Sequence, residues 1–184
     1  AAGQLCARVT TGGNDAVVEG LGRFLPVKVP VDCCESGSTL RFLIPIASLT
    51  GQKVTFVGRG RLMERPQTVY EKLYQEQSLR FEQSSAGLTV EGTLKSSEYE
   101  LAGDVSSQFI SGLLFAAPLM ESESSIEVLA PYESRSYVDM TVDAMQQFGV
   151  KVTSRARKNG SVMYRVAAPQ RYTASDFAVE GDYS

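Results

Sequence analysis

The sequence predicts an α/β (α+β) fold built from repeated βαβαββ units. One observation is a series of helix, strand and hairpin patterns that starts again about 71 residues later, a period typical of a repeated supersecondary unit. Another is that residues 42–44 and 113–115 match in apolar character across the two series. With 43% apolar residues among 184, the chain can bury a core, and we expect one globular domain over residues 1–184.

The first series lies within residues 32–102 and follows two short segments. Ala16–Leu21 and Phe24–Val31 are predicted to be short extended segments separated by glycines. The run from Ser38 to Leu49 is apolar enough for a buried helix, which Pro45 would kink by removing the backbone hydrogen bond to Arg41. The series continues with a strand, an amphipathic helix and two short strands: 53–58, 66–78 and 79–92.

The second series repeats these elements as an apolar helix, a strand, a second helix and a hairpin: 106–120, 125–129, 137–148 and 150–168. The pair Asn159-Gly160 is a strong signal for a two-residue hairpin turn. We place the repeats at residues 32–102 and 103–180. Residues 181–184 resemble the opening of the second series at Gly103–Ser106, so we expect a further unit to start there and the chain to be a piece of a longer protein.

Composition narrows the functional classes. A net charge of −3 and a pI near 5.1 argue against a general nucleic-acid binder, and no apolar run approaches the roughly 20 residues that cross a bilayer. The three cysteines include the adjacent pair Cys33-Cys34, which predicts a reducing, cytoplasmic location rather than a disulfide framework. The chain has no histidine, so neither a Ser-His-Asp triad nor a zinc site is expected.

The stretch from Glu35 to Pro66 predicts an anion site. Ser36–Thr39 open a helix, where free backbone N–H groups and the positive end of the helix dipole favour an anion. Four arginines lie in the same stretch: Arg41, Arg59, Arg61 and Arg65. A helix start beside guanidinium groups suits phosphate and carboxylate ligands.

Five motifs carry a family resemblance: SGSTLRFL, GRGRLMERP, DVSSQFISGLLFAAPL, SYVDMT and EGDYS. In order and spacing they resemble the 5-enolpyruvylshikimate-3-phosphate synthase family. The resemblance implies the enolpyruvyl transferase fold, with βαβαββ units packed around inward-facing helices, and implies that this chain is most of an N-terminal domain whose C-terminal partner domain is missing. It also implies transfer of the enolpyruvyl group of phosphoenolpyruvate to the 5-hydroxyl of shikimate 3-phosphate, without metal or cofactor.

The resemblance assigns site residues position by position. It implies that shikimate 3-phosphate binds the following side chains: Ser106, Ser107, Gln108, Ser134 and Tyr137. It implies that phosphoenolpyruvate, at the place where the herbicide glyphosate also binds, lies against Gly37, Arg65 and Gln108, with Arg41, Arg61 and Ser38 in secondary positions. Asp182 matches a family aspartate at the domain boundary and is a catalytic candidate.

Structural interpretations of the same residues stay open. Ser106 and Ser107 could cap a helix without binding a ligand, and Tyr137 could pack in the core. Arg41 and Arg61 could form salt bridges within the protein. The alternative functions are a UDP-N-acetylglucosamine enolpyruvyl transferase and a non-catalytic module that binds a phosphorylated ligand. An RNA-related protein of similar units is a third alternative, which the acidic pI disfavours.

Overall fold

The computed structural model describes residues 1–179, which form five α-helices and ten strands. The helices are α1 (Ala2–Leu5), α2 (Gly37–Ser48), α3 (Thr68–Glu76), α4 (Ser107–Ala116) and α5 (Arg135–Gln147). The strands are β1 (Ala7–Gly12), β2 (Asp15–Gly20), β3 (Val31–Asp32), β4 (Val54–Val57), β5 (Arg80–Ser84), β6 (Gly87–Glu91), β7 (Glu98–Leu101), β8 (Ser124–Val128), β9 (Thr153–Ala156) and β10 (Val162–Val166). Short 3₁₀ turns cover Leu62–Glu64 and Ala117–Leu119.

Two four-stranded sheets share one topology. Their strand orders are β3-β4-β6-β5 and β7-β8-β10-β9, and in each the first pair is parallel and the other pairs are antiparallel. Each sheet belongs to a βαβαββ run, and α2 and α4 begin at Gly37 and Ser107, 70 residues apart. The strand that opens the second run, β7, lies before residue 103, where the sequence placed the start of the second repeat.

The buried helices α2 and α4 pack against each other in one continuous hydrophobic core drawn from both runs. Leu40 and Ile44 of α2 are fully buried, and α4 is buried along most of its length after the first turn. An edge-to-face contact joins Phe42 to Phe115, with 5.2 Å between ring centroids. The strands β4, β8 and β10 alternate buried and more exposed residues, as in sheets with one face on a core.

Helix α2 contains Pro45 yet runs as one helix from Gly37 to Ser48. Proline lacks the N–H that would bond the Arg41 carbonyl, four residues earlier. The hydroxyl of Tyr70 on α3, which is fully buried, donates to that carbonyl at 2.8 Å. A Cβ at Gly112 would overlap this hydroxyl and the Arg41 carbonyl, so the glycine permits the close approach of α4.

The N-terminal segment differs from its prediction. The extended segment expected at Ala16–Leu21 is strand β2, and it pairs antiparallel with β1, which the sequence pattern did not indicate. The second expected segment, Phe24–Val31, is not a strand except at its last residue, because Pro26 and Pro30 cannot donate hydrogen bonds to a neighbouring strand.

The second series also differs in detail. The apolar helix predicted over 106–120 ends as an α-helix at Ala116 and continues as a 3₁₀ turn that contains Pro118. The hairpin β9–β10 is present, but its turn is longer than two residues. Arg157 N donates to the Ser161 carbonyl at 2.8 Å, and Gly160 supplies a left-handed backbone with φ +83°. The two-residue turn was therefore a wrong prediction.

Candidate functional site

The candidate site lies where the parallel strands of each run end. The loop after β3 leads into α2, and the neighbouring loop after β4 is tied to it because Arg59 N donates to the Cys34 carbonyl at 2.6 Å. In the second run, Gly103 packs so closely on the Leu129 carbonyl that a Cβ would overlap it. Each run thus brings a helix start beside a second loop, the arrangement at which open α/β sheets bind ligands.

The start of α2 is open at its backbone and faces a cation. Ser36 caps the helix, and its Oγ accepts a hydrogen bond from Thr39 N at 3.1 Å. Gly37 is buried, and a Cβ built on it would lie 3.1 Å from Arg65 Nη1. The Arg65 guanidinium therefore reaches to the first helical residue, in the position that the sequence predicted for a close backbone approach.

Gln108, at the start of α4, joins this helix start to its counterpart in the second run. Its Nε2 donates to Ser38 Oγ at 2.7 Å, and its Oε1 accepts from Arg41 Nη1 at 2.9 Å. Arg41 Nη1 also lies 3.5 Å from Ser106 Oγ, the side chain that caps α4. Four residues predicted for two different substrates thus form one hydrogen-bonded cluster.

Arg41 is a half-buried cation held by neutral groups. Its Nε donates to Gln67 Oε1 at 3.2 Å, and its guanidinium lies 4.6 Å from the centre of the Phe109 ring. Desolvation lowers the pKa of Arg41, the neighbouring Tyr70 raises it, and the charge of Arg65 lowers it. Within residues 1–179 no ion pair includes Arg41. Because a guanidinium stays protonated, the cluster can receive an anion.

The other predicted arginine, Arg61, has a different environment. Its Nε pairs with Glu64 Oε2 at 3.2 Å, and its side chain is 87% exposed. A cavity of about 240 Å³ is lined by these two residues together with Arg65 and Pro66. Arg61 therefore borders the concave surface beside Arg65, but a carboxylate already partners its charge, which agrees with the salt-bridge interpretation.

The second run contributes polar groups at two helix starts. Ser107 is the first residue of α4. Ser134 precedes α5, and its Oγ is buried without a hydrogen-bond partner in the described part of the chain. An unpartnered buried hydroxyl is costly, which is typical of a group that awaits a ligand or water. Tyr137 is 66% exposed, so the core-packing interpretation of this residue was wrong.

Sequence reasoning missed Gln67 and Tyr70. Gln67 is buried, and it contacts Arg41 through its side chain and Arg65 through the Arg65 carbonyl. Gln67 carries no local signal, because a glutamine near a helix start is usually exposed. The amphipathic pattern of residues 66–78 favours Tyr70 facing inward, but only the packing of α3 on α2 reveals its hydrogen bonds. Asp182 lies outside the residues that the structure describes.

Three further observations concern the rest of the described residues. A larger concave surface of about 540 Å³ lies on β9 and β10 and contains none of the clustered residues. Among the described helices, none has both the length and the apolar character that a membrane crossing requires. Over the same residues, no three side chains of His, Cys, Asp or Glu are grouped to hold a metal ion.

The chain is similar to known proteins along almost its whole length. The family model for EPSP synthase (3-phosphoshikimate 1-carboxyvinyltransferase) matches residues 3–184. A 3-phosphoshikimate 1-carboxyvinyltransferase of Clostridium kluyveri is 41% identical over 178 residues, which are 96% of this chain and 41% of the relative. One from Clostridium perfringens is 42% identical over 156 residues, which are 84% of this chain and 36% of the relative.

Solved structures agree with the sequence comparison. The EPSP synthase of Acinetobacter baumannii superposes with a TM-score of 0.73 at 18% identity, over 92% of this chain and 38% of that one. This likeness confirms the predicted α/β fold class of the enolpyruvyl transferases. The chain spans about two-fifths of the length of the relatives it matches. With the family match covering almost every residue, the chain belongs to the EPSP synthase family.

Proposed function

We propose that this chain is part of a 3-phosphoshikimate 1-carboxyvinyltransferase, which joins the enolpyruvyl group of phosphoenolpyruvate to the 5-hydroxyl of shikimate 3-phosphate. The observation that carries the proposal is the hydrogen-bonded meeting of two helix starts through Gln108, Ser38 and Arg41. Such a meeting brings two anion-binding helix ends side by side, as a reaction between two phosphorylated substrates requires. Since the chain spans about two-fifths of its relatives, turnover is proposed for the complete protein.

Shikimate 3-phosphate is assigned to the second run. Its phosphate would accept hydrogen bonds from the hydroxyls and backbone N–H groups at Ser106 and Ser107, where the α4 dipole is positive. The buried Ser134 hydroxyl lacks a protein partner among the described residues, so it can donate to the same ligand. The exposed Tyr137, in the first turn of α5, supplies a further hydroxyl at the edge of this proposed site.

Phosphoenolpyruvate is assigned to the first run. Gly37 lets the ligand approach the backbone, and the Arg65 fork pairs with a carboxylate or phosphate. Gln108 lies between the two substrates because its amide contacts Ser38 of one run from the helix start of the other. In the reaction, the 5-hydroxyl oxygen bonds to C2 of phosphoenolpyruvate while C3 gains a proton. The hydroxyl loses its own proton as this bond forms, and the tetrahedral intermediate then loses phosphate and a C3 proton, which restores the C2–C3 double bond in the enol ether product.

Proton transfer is assigned to groups supplied with a C-terminal domain. The chain has no histidine, and none of the groups gathered around Gln108 is a carboxylate. Because the chain spans about two-fifths of its relatives, we also assign this C-terminal domain as its partner. The three cysteines are all free thiols, which supports a reducing cytoplasmic location.

Calorimetric titration of the 184-residue chain with shikimate 3-phosphate, followed by a phosphate-release assay, tests the proposal. We expect binding without turnover, and turnover by a full-length protein that carries this chain. The double variant Ser106→Ala, Ser107→Ala should weaken binding at least about tenfold, since several hydrogen bonds to a charged group are lost.

Two controls sharpen the experiment. Ser84→Ala, on an exposed hairpin, removes a hydroxyl of the same kind away from the cluster and should leave affinity unchanged. UDP-N-acetylglucosamine should not bind at concentrations that saturate with shikimate 3-phosphate. Turnover by the chain alone near the rate of the full-length protein would contradict the proposed division of labour. Binding of the nucleotide sugar in place of shikimate 3-phosphate would transfer the assignment to the alternative enolpyruvyl transferase.

A further inference from the structure

We infer that Gln67 is a positioning residue of the anion site, which holds the Arg41 guanidinium and the Arg65 backbone in fixed relation without itself reaching the ligand. The inference rests on the proposed function, because it names a residue that prepares the phosphoenolpyruvate side of that site. Gln67 is only 1% exposed, so it has no direct access to solvent or to an incoming substrate.

Both ends of the Gln67 amide are used, in opposite directions. Oε1 accepts from Arg41 Nε at 3.2 Å, and Nε2 donates to the Arg65 carbonyl at 3.2 Å. A flipped amide would place an N–H against a guanidinium N–H and an oxygen against a carbonyl oxygen, and both pairs repel. The amide orientation is therefore determined, and it ties the side chain of one arginine to the backbone of the other.

The Gln67 side chain does not serve its own helix. Gln67 occupies the N-cap position of α3, but its side chain makes no capping hydrogen bond. Its backbone carbonyl starts the helix by accepting from Glu71 N at 3.0 Å. Because the amide faces the arginines instead of the free N–H groups of α3, helix stabilisation does not explain a buried glutamine here.

The contact continues through Arg41 to the ligand side. Arg41 Nη1 donates to Gln108 Oε1, which leaves Gln108 Nε2 to donate to Ser38 Oγ. Ser38 Oγ thus acts as an acceptor inside the cluster, and its own O–H is directed away from Gln108. That hydroxyl is free to donate to a ligand oxygen above the α2 start, so Gln67 acts on the ligand through two other side chains.

The neutrality of Gln67 matters as much as its geometry. Arg41 and Arg65 repel each other, and the charge of Arg65 contributes to the lowered pKa of Arg41. An amide oxygen stabilises the Arg41 guanidinium without cancelling its charge, whereas a carboxylate at this position would neutralise it. The positive potential available to a bound anion therefore depends on an amide at position 67.

Two variants test the inference in a full-length protein that carries this chain. Gln67→Met keeps the length and removes both polar contacts, and we expect the KM for phosphoenolpyruvate to rise about tenfold, as for loss of one hydrogen bond to a charged group. Gln67→Glu keeps the acceptor for Arg41 but adds a negative charge, and it should raise the same KM at least as much, in variants whose circular dichroism matches that of the unaltered protein. The KM for shikimate 3-phosphate should change less than about twofold in both.

Gln83→Met is the matched control. Gln83 Nε2 also donates to the Arg65 carbonyl, at 2.9 Å, but it does not contact Arg41. This variant should leave the KM for phosphoenolpyruvate unchanged. An equal rise with Gln83→Met, or wild-type kinetics with Gln67→Glu, would overturn the inference and assign Gln67 a purely structural role. Failure of the unaltered protein to turn over both substrates would instead reject the proposed function.

Discussion

Gly37 leaves space at the start of α2 that a side chain would fill. A Cβ there would lie 3.1 Å from Arg65 Nη1 and 3.8 Å from Gln108 Oε1, so the guanidinium would have to shift. Its backbone needs no glycine-specific conformation, since Gly37 is not among the positive-φ glycines. A side chain at this position is therefore limited by contacts with Arg65 and Gln108 and not by the backbone conformation.

Gly37→Ala is expected to weaken phosphoenolpyruvate binding about tenfold, equivalent to about 1.4 kcal/mol. The added methyl group would displace the Arg65 guanidinium from the start of α2. Shikimate 3-phosphate affinity should stay within about twofold, since the residues that we propose for it lie at the starts of α4 and α5. Titration of each substrate measures both effects. Gly3→Ala, where a Cβ meets nothing within 4 Å, is the control. Equal weakening of both substrates would contradict the assignment of Gly37.

At the scale of the helices, Tyr70 compensates for a proline. Its hydroxyl bonds the Arg41 carbonyl that Pro45 leaves free, and it also lies 3.0 Å from the Phe109 carbonyl. The same hydroxyl thus links α3 to both buried helices. A ring edge-to-face contact with Phe109, with centroids 5.0 Å apart, adds to this junction.

Tyr70→Phe is expected to lower the free energy of unfolding by about 1–3 kcal/mol, because a buried carbonyl loses its donor. Denaturant unfolding followed by circular dichroism measures the change. Tyr137→Phe, at an exposed tyrosine whose own hydroxyl makes no hydrogen bond within the described part of the chain, should leave the unfolding free energy unaltered. Equal stability of the Tyr70 variant and the unaltered protein would show that the Arg41 carbonyl does not need this donor.

The elements divide into those with local signals and those without. The helices α2 and α4 were predictable, because long apolar runs after serine caps occur nowhere else in the chain. Strand β7 was missed because its four residues include two glutamates and it pairs with a strand more than 20 residues away. Gln67 was missed for a related reason: its contact with Arg41 joins residues that are 26 positions apart in the sequence.

The candidate site was predictable only where motif and geometry coincide. Gly37, Arg65, Ser106 and Gln108 were named from the sequence, and the structure brings these four to the two adjacent helix starts. The pairing of Arg61 with Glu64 could not be separated from ligand binding in advance, because both use the same guanidinium donors. The distance between Arg61 and Glu64 in the folded chain identifies the ion pair.

For the whole molecule, buried tyrosines determine the response to alkaline conditions. Burial raises the pKa of Tyr99 to about 12 and also raises the pKa of Tyr70, Tyr74, Tyr132 and Tyr172. Their ordinary value is 10.0, so above that pH the unfolded chain releases protons that the folded chain retains. The folded state is then disfavoured as pH rises, while below that pH the contribution of these groups is fully present.

Stability is therefore expected to fall steeply as pH rises from about 10 towards 12, through the raised tyrosine pKa values. Denaturant titrations at a series of pH values, with tyrosinate absorbance recorded in parallel, measure both unfolding and ionisation. Ionisation of the buried tyrosines should appear together with unfolding and not before it. Full tyrosine ionisation in a chain that keeps its secondary structure would contradict the burial of these hydroxyls.

The two βαβαββ runs set α2 and α4 side by side, with the first helical positions at Gly37 and Ser107. These two residues occupy equivalent positions in the two runs, so one structural position occurs twice with different side chains. In the first run this position is a glycine without a side chain, and in the second run it is a serine with a hydroxyl. Internal duplication thereby lets the side chain at one structural position differ between the two runs while the backbone arrangement stays the same.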